Sequence, residues 1–227
     1  AVGLDVGSTL FEERAELRLG ALLGQTRTQL DTGEPSLPES NEKESGLRAA
    51  FLWDTLDSRY VPRGGTRLAL DLFSPQPALG ADQSYRRLSG KWTGARSFGK
   101  NTLVGRVRLG TGLGGDMPFY DQFALGGFLE LSGYENEQFR GNDVAFGALI
   151  FYRELATLTP PLGRGIYLGG SLEVGSIRDT VEILTESKTR FGSSLFLGAD
   201  TWLGPTYLGL GIAGDGDATA YFLLGRP

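Results

Sequence analysis

Apolar and polar residues alternate with a period of two along one segment after another of this chain. In Thr66 to Phe73, Leu68, Leu70 and Leu72 fall on one side, and Arg67, Ala69 and Asp71 on the other. In Ala15 to Leu30, Leu17, Leu19, Ala21 and Leu23 oppose Arg18 and Gly20. Gly165 to Ile177 sets Ile166, Leu168, Leu172 and Val174 against Tyr167, Gly169, Ser171, Glu173 and Gly175. Period two is the strand signature, because successive side chains leave a pleated backbone on opposite sides. Comparable segments recur from Val2 to Gly225, divided by Gly-, Pro- and Asp-rich turns; they predict about eleven strands and no helix. The fold class is therefore all-β, built from antiparallel strands.

Alternation alone does not separate a soluble sandwich from a membrane barrel. The polar face does. Arg67, Asp71, Arg87, Lys91, Arg106, Arg108 and Glu173 share one side of successive strands with glycines, as in the lumen of a barrel. Most segments run to about ten residues, enough for a tilted strand to cross a bilayer. Aromatic residues at segment ends (Tyr60, Tyr85, Phe98, Tyr152, Tyr167, Trp202, Tyr207) are expected to form interfacial girdles. No apolar run reaches about eighteen residues, so crossing falls to strands rather than helices. The expectation is a transmembrane β-barrel forming one domain over residues 1–227, with a long loop at 113–143 that folds back on itself and feeds the mainly apolar strand from Val144 to Leu155.

Composition narrows the chemistry. With no histidine, a Ser-His-Asp triad and the commonest metal ligand are absent; with no cysteine, so are disulfides and thiolates. There is no Gly-x-Ser-x-Gly elbow. Asp54 and Asp57 read as turn builders rather than an acid/base pair. Gly214-Asp215-Gly216-Asp217 reads as a turn, lacking the further ligands of a calcium loop. Gly110 to Gly115 mimics a phosphate loop but has no helix after it. The Glu-bearing stretch Glu34 to Glu44 reads as solvated surface. No catalysis, cofactor or metal is expected, and a net charge of −5 gives no pull toward nucleic acid. Residues 1–10 lack a basic segment followed by an apolar one, so no signal peptide is expected.

The ordered motifs resemble the C-terminal barrel of the bacterial surface antigen superfamily, of the BamA and TamA type. Asp54-Thr55-Leu56-Asp57 followed by Pro62 and Gly64 resembles its strand-to-periplasmic-turn signature. Gly126-Gly127 with Leu131-Ser132-Gly133-Tyr134 resembles its long loop, which folds into the lumen, and Leu172-Glu173-Val174-Gly175 its acidic wall motif. Leu131 to Tyr134, Phe151-Tyr152-Arg153 and the ending from Ala199-Asp200-Thr201 to Leu224-Gly225-Arg226 are most similar to the barrels of patatin-like two-module proteins. This resemblance implies a Gram-negative outer-membrane barrel of sixteen strands, about eleven of them visible here. It implies partners in outer-membrane lipid, the outer-membrane assembly machinery, and an upstream POTRA domain and passenger. Two departures stand out. Ser132 occupies the place of the family's loop arginine, and the chain stops at Arg226-Pro227 rather than at an aromatic residue, as though a final residue were missing.

Three function classes follow: a barrel that translocates or inserts polypeptide, a passive pore, and a soluble binding module. For the loop, Glu173 is the expected anchor on the wall. Ser132 brings no charge, so Arg140 is expected to replace the family's arginine and meet Glu173, the alternative being a wall arginine, Arg106 or Arg108, on Glu173 with Arg140 solvated.

Overall fold

The computed structural model describes residues 2–12, 14–28, 40–43, 45–159, 162–178 and 189–225. The alternating segments form strands: β1 (Val2–Leu10), β2 (Ala15–Leu23), β3 (Gln25–Thr28), β4 (Ser40–Lys43), β5 (Gly46–Asp54), β6 (Gly64–Pro75), β7 (Arg86–Phe98), β8 (Asn101–Leu113), β9 (Phe123–Leu125), β10 (Phe139–Gly141), β11 (Asp143–Thr157), β12 (Gly163–Arg178), β13 (Arg190–Thr201), β14 (Gly204–Ala213) and β15 (Ala218–Leu224). Eleven of them build one antiparallel sheet in the order β1-β2-β5-β6-β7-β8-β11-β12-β13-β14-β15. The ribbons β3–β4 and β9–β10 stand apart from it. Among the described residues the helical content is a single 3₁₀ turn, Pro77–Leu79. The stretch from Ala15 to Leu30 does not continue as one strand: it breaks after Leu23, and Gln25–Thr28 pairs with Ser40–Lys43 instead. The expected solvated stretch Glu34 to Glu44 lies mostly outside the described residues.

Successive hairpins put two kinds of connection at opposite rims. Those after β1, β5, β7, β11 and β13 span two to nine residues, whereas those after β2, β6, β8, β12 and β14 run up to the 29 residues of 114–142. The outer face is apolar along the whole sheet. Leu19, Leu47, Leu70, Trp92, Leu109, Leu149, Leu172, Leu195, Leu210 and Phe222 are all exposed. A continuous apolar face of this extent on a sheet edge to edge is far beyond a soluble protein's usual patch and matches the lipid-facing band of a barrel.

The inner face divides in two. On β11 to β14 every second residue is buried, from Val144, Phe146, Ile150 and Tyr152 to Tyr207 and Ala213. On β2 to β7 the inner residues Arg18, Arg48, Arg67, Asp71 and Arg87 are only partly covered. The sheet curls enough for the β5–β6 turn to reach across β7 and β8: the Tyr152 hydroxyl donates to the Pro62 carbonyl, and Arg63 pairs with Glu154.

The girdle expectation needs correction. Phe98 and Trp202 are exposed at the short-turn rim, but Tyr85, Tyr152, Tyr167 and Tyr207 are less than a tenth exposed. These four have the parity of the inner face. Tyr152, Tyr167 and Tyr207 enclose a small cavity with Arg106 under the loop. A position near a strand end does not decide whether a tyrosine faces the interface or the lumen; parity does.

The faces make a test. Leu70 is outward and 42% exposed, while Ala69 is inward beside Lys91 in the open basin. Leu70→Arg is expected to lower barrel stability by roughly 2–4 kcal/mol and Ala69→Arg to be tolerated. Urea refolding into vesicles measures both.

Candidate functional site: the loop seat on the inner wall

The connection from β8 to β11 lies against the inner wall. Its base is the ribbon β9–β10, with Phe139 opposite Leu125 and Gly141 opposite Phe123. Gly126 and Gly127, at φ 129° and 107°, then turn the chain into a tight crest over Phe128 to Tyr134. A Cβ on Gly126 would stand 2.5 Å from the Glu135 carbonyl oxygen, which explains glycine there. Leu129 and Leu131 also hold positive φ, 61° and 77°. Leucine adopts that backbone only where its surroundings impose it, and both side chains are almost wholly buried.

The crest's strain is set against a carboxylate. Glu173 on β12 is 3% exposed, and its Oε2 accepts the backbone N–H of Leu131 at 2.7 Å and of Ser132 at 2.6 Å. Ser132 Oγ donates to Oε1 at 2.8 Å and accepts the Leu129 N–H at 3.0 Å. Ser171 also donates to Oε1, and it is linked to Ser194 on β13. Consecutive amides turned toward one point form a nest for an anion. The buried charge is thus met by four donors, with no lysine or arginine paired to it among the described residues.

A second fastening sits one residue on. The Gly133 N–H donates to the Tyr221 hydroxyl at 2.9 Å, that hydroxyl donates to the Tyr134 carbonyl at 3.1 Å, and Thr219 Oγ1 donates to the Gly133 carbonyl at 2.7 Å. Tyr221 and Thr219 belong to β15, so the crest is tied to β12 and to β15 at once. Gly133, at φ 100°, lies so close to β14 that a Cβ would come 2.0 Å from the Ala213 nitrogen. The wall makes room in the same way: a Cβ on Gly175 would meet Leu125, and one on Gly192 would stand 2.7 Å from the Ser132 carbonyl. Between these contacts Phe128 fills an aromatic socket of Phe196, Tyr207 and Tyr221, with ring centroids 5.2–5.7 Å away.

Two ion pairs run from loop acids, one before the ribbon and one in the crest, to wall arginines. Asp121 pairs with Arg87 at 3.6 Å and accepts the Tyr85 hydroxyl at 2.7 Å; Glu130 pairs with Arg108 at 3.2 Å. Arg108 also donates to the Ala124 carbonyl, and Arg87 lies 4.5 Å over the Phe123 ring. Burial pushes the Asp121 carboxyl up from its ordinary value, while the Tyr85 hydroxyl and Arg87 draw it back. Beyond the loop, a polar basin of about 560 Å³ opens along β2 to β8, lined by Arg48, Arg67, Arg87, Lys91 and Arg108.

A family model, the Omp85 superfamily domain, matches residues 2–199. The chain belongs to the Omp85 superfamily. Among solved structures it is similar to BamA from Haemophilus ducreyi lacking POTRA domains 1–3, with a TM-score of 0.75 over 97% of this chain at 13% identity. The chain spans 52% of that structure's length. As an Omp85 barrel it is a protein of the Gram-negative outer membrane, and its short connections mark the periplasmic rim.

Two expectations for this Omp85 loop are corrected. Arg140 does not meet Glu173. It pairs with Glu137 three residues earlier and lies 4.9 Å over the Phe119 ring. Nor do wall arginines take Glu173: Arg108 is held by Glu130. Glu173 needs no cation because Ser132 brings a hydroxyl and two neighbouring amides to it, a solution invisible to a search for charge partners. The wall groups that the sequence reading missed are Ser171, Thr219, Tyr221 and Gly192. Tyr221 and Ser171 share inward parity with the rest of the wall, which is the only signal the sequence carried for them.

The strand-turn residues build a turn. Asp54 accepts the Leu56 N–H at 3.1 Å and pairs with Arg67 at 3.2 Å, and Asp57 accepts the Arg63 N–H at 2.8 Å. The glycine this turn requires is Gly65 rather than Gly64. At φ 98° a Cβ on Gly65 would meet the Thr55 carbonyl at 2.0 Å, whereas one on Gly64 would meet nothing within 4 Å. Asp215 to Asp217 close a turn through the Ala213 N–H and Asp217 carbonyl. Among the described residues no group of three or more acidic side chains is arranged to hold a metal.

The seat predicts a pattern in mutants. Glu173→Ala strands two buried amides and should loosen the crest by roughly 3–5 kcal/mol, Ser132→Ala by about 1 kcal/mol. The two should couple, whereas Arg140→Ala with Glu173→Ala should be additive within about 0.5 kcal/mol. Protease access to residues 135–138 reads the seat. Gly133→Ala should expose the same segment, since its Cβ has no place against β14.

Proposed function

We propose that the chain forms the loop-bearing part of an outer-membrane barrel that inserts or translocates polypeptide, and that its work is mechanical rather than catalytic. The observation that supports this reading is the double fastening of the crest. Glu173 holds it to β12, and Tyr221 with Thr219 holds it to β15, the last strand of the sheet. A displacement of β15 pulls on the plug, and an unseated plug frees β15. Strand β15 has seven residues where β12 has sixteen, so it is the wall element with least to lose by exchanging partners. A client segment would join the sheet by strand addition, its main-chain groups taking ladder hydrogen bonds.

The finer identity we propose is the translocator module of a patatin-like surface or secreted phospholipase, of type V secretion. It rests on Leu131 to Tyr134, Phe151-Tyr152-Arg153 and Ala199-Asp200-Thr201. Any lipase nucleophile would lie outside residues 1–227, and the expected partners are an upstream POTRA domain, its passenger and the outer-membrane assembly machinery. The polar basin beside the loop favours a second reading, a passive pore without polypeptide transport.

A photo-crosslinker at Ala220 or Phe222 of β15, in cells that make the complete protein, is expected to capture polypeptide other than the barrel itself. Crosslinks confined to lipid or to the barrel, together with a steady ion conductance, would establish the pore reading instead.

A further inference from the structure

The outer wall is not evenly covered. Between β11 and β14 the apolar band sinks into a groove of about 720 Å³. It is walled by leucines and by Phe151 and lined along the sheet by Gly169, Gly170, Ser171, Ser193 and Ser194, with Leu195 leaning over Gly170. The cause is two small residues at outward positions. Gly170 stands in register between Phe151 and Leu195, and Ser193 between Leu172 and Ile212. At both, the band omits the large side chain that its neighbours carry.

One charged residue lines this groove, Arg153, at the end toward the short connections. It is outward and exposed, in register between Asn101 and Leu168; Asn101 pairs in turn with the exposed interfacial Phe98. Among the described residues its guanidinium makes one long hydrogen bond, 3.4 Å to Asn101 Oδ1, and no ion pair. An arginine offers five donors in a planar fork matched to phosphate oxygens. On a lipid-facing wall it is unfavourable unless water or an anion meets it.

We propose that this groove is a binding site for one anionic glycerophospholipid of the periplasmic leaflet, its phosphate on Arg153 and an acyl chain lying over Gly170 toward Ser193. Lipid is the occupant because the groove opens onto the face that meets the bilayer. The periplasmic leaflet is chosen because Arg153 lies toward the short-turn rim, and an anionic headgroup because arginine is the only charge there. Ser171 and Ser194 turn their hydroxyls inward to the loop seat and line the groove from the other side of the sheet, while Arg153, Gly170 and Ser193 take no part in the seat, so the site stands whether the barrel moves polypeptide or not.

Native mass spectrometry of the complete protein, released from detergent after incubation with phosphatidylglycerol or phosphatidylcholine of identical chains, tests it. The wild type is expected to retain phosphatidylglycerol about tenfold more tightly. Arg153→Gln should erase that preference, while Arg164→Gln, an exposed residue of β12 that does not line the groove, should leave it unchanged. Ser193→Leu fills the groove from its far end and should weaken retention of both lipids while the preference persists. Heat-modifiable mobility confirms assembly of each variant; should Arg153→Gln fail to assemble, Arg153→Lys should give an intermediate preference. Equal retention of the two lipids by the wild type, or an undiminished preference in Arg153→Gln or Arg153→Lys, would overturn the headgroup site. Unchanged retention in Ser193→Leu would overturn the acyl groove.

Discussion

The inner half of this barrel depends on one carboxylate. Among the described residues no cation is paired with the buried Glu173, and an isolated buried charge is among the costliest groups a protein can carry. Here two backbone amides and two hydroxyls converge on it. Those amides are available only because Leu129 and Leu131 take left-handed backbone, and that backbone persists only because Phe128, Leu129 and Leu131 are packed into the wall. Carboxylate, strained crest and aromatic socket therefore hold one another. Remove the charge and the crest loses its reason to stay strained; remove the packing and water competes for the amides.

Polarity around the loop follows from the same economy. The wall of β7 and β8 is rich in arginine, so the loop approaches it with Asp121 and Glu130. The wall of β12 offers a carboxylate, and there the loop presents donors rather than a charge. An arginine side chain at Ser132 would need volume that the closeness of Gly192 and Gly211 denies, since a Cβ on either would already press on Ser132 itself or on the Gly133 nitrogen. In this member of the superfamily the loop is held to β12 and β15 by main chain and hydroxyls, and to β7 and β8 by the ion pairs of Asp121 and Glu130.

Much of the sheet was legible in the sequence because a strand exposed to different media on its two faces must alternate. Leu68, Leu70 and Leu72 against Arg67 and Asp71 stand in the structure on the faces the pattern assigned. Strand β11 was less legible: Val144, Phe146 and Ile150 meet the loop while Leu149 and Phe151 meet the outside, so both of its faces are apolar and alternation is lost. The tyrosines misled for the opposite reason. Their amphipathic rings suit a membrane interface and a plugged lumen equally, and only register separates the two. The loop's partner could not be read by matching charges, because backbone amides carry no sequence signal. Glu173 was conspicuous as an acid among glycines, but the Ser132 hydroxyl and two main-chain N–H groups that satisfy it were not.

Glycine serves opposite ends on the two faces of one strand. Inward on β12, Gly175 admits the loop's Leu125 and Leu131 to close packing, so its missing side chain is replaced by protein. Outward on the same strand, Gly170 leaves a depression that Leu195 only partly covers. A depression in a soluble protein would be hydrated, yet this one opens into hydrocarbon, where water is a poor filler and a flexible chain a good one. The same residue type thus fixes the plug on one side of the wall and shapes the lipid surface on the other. The two effects are joined through the backbone of β12, whose Glu173 and Gly170 lie three residues apart. The loop seat and the groove thus occupy opposite faces of the same strand, each opened by a glycine.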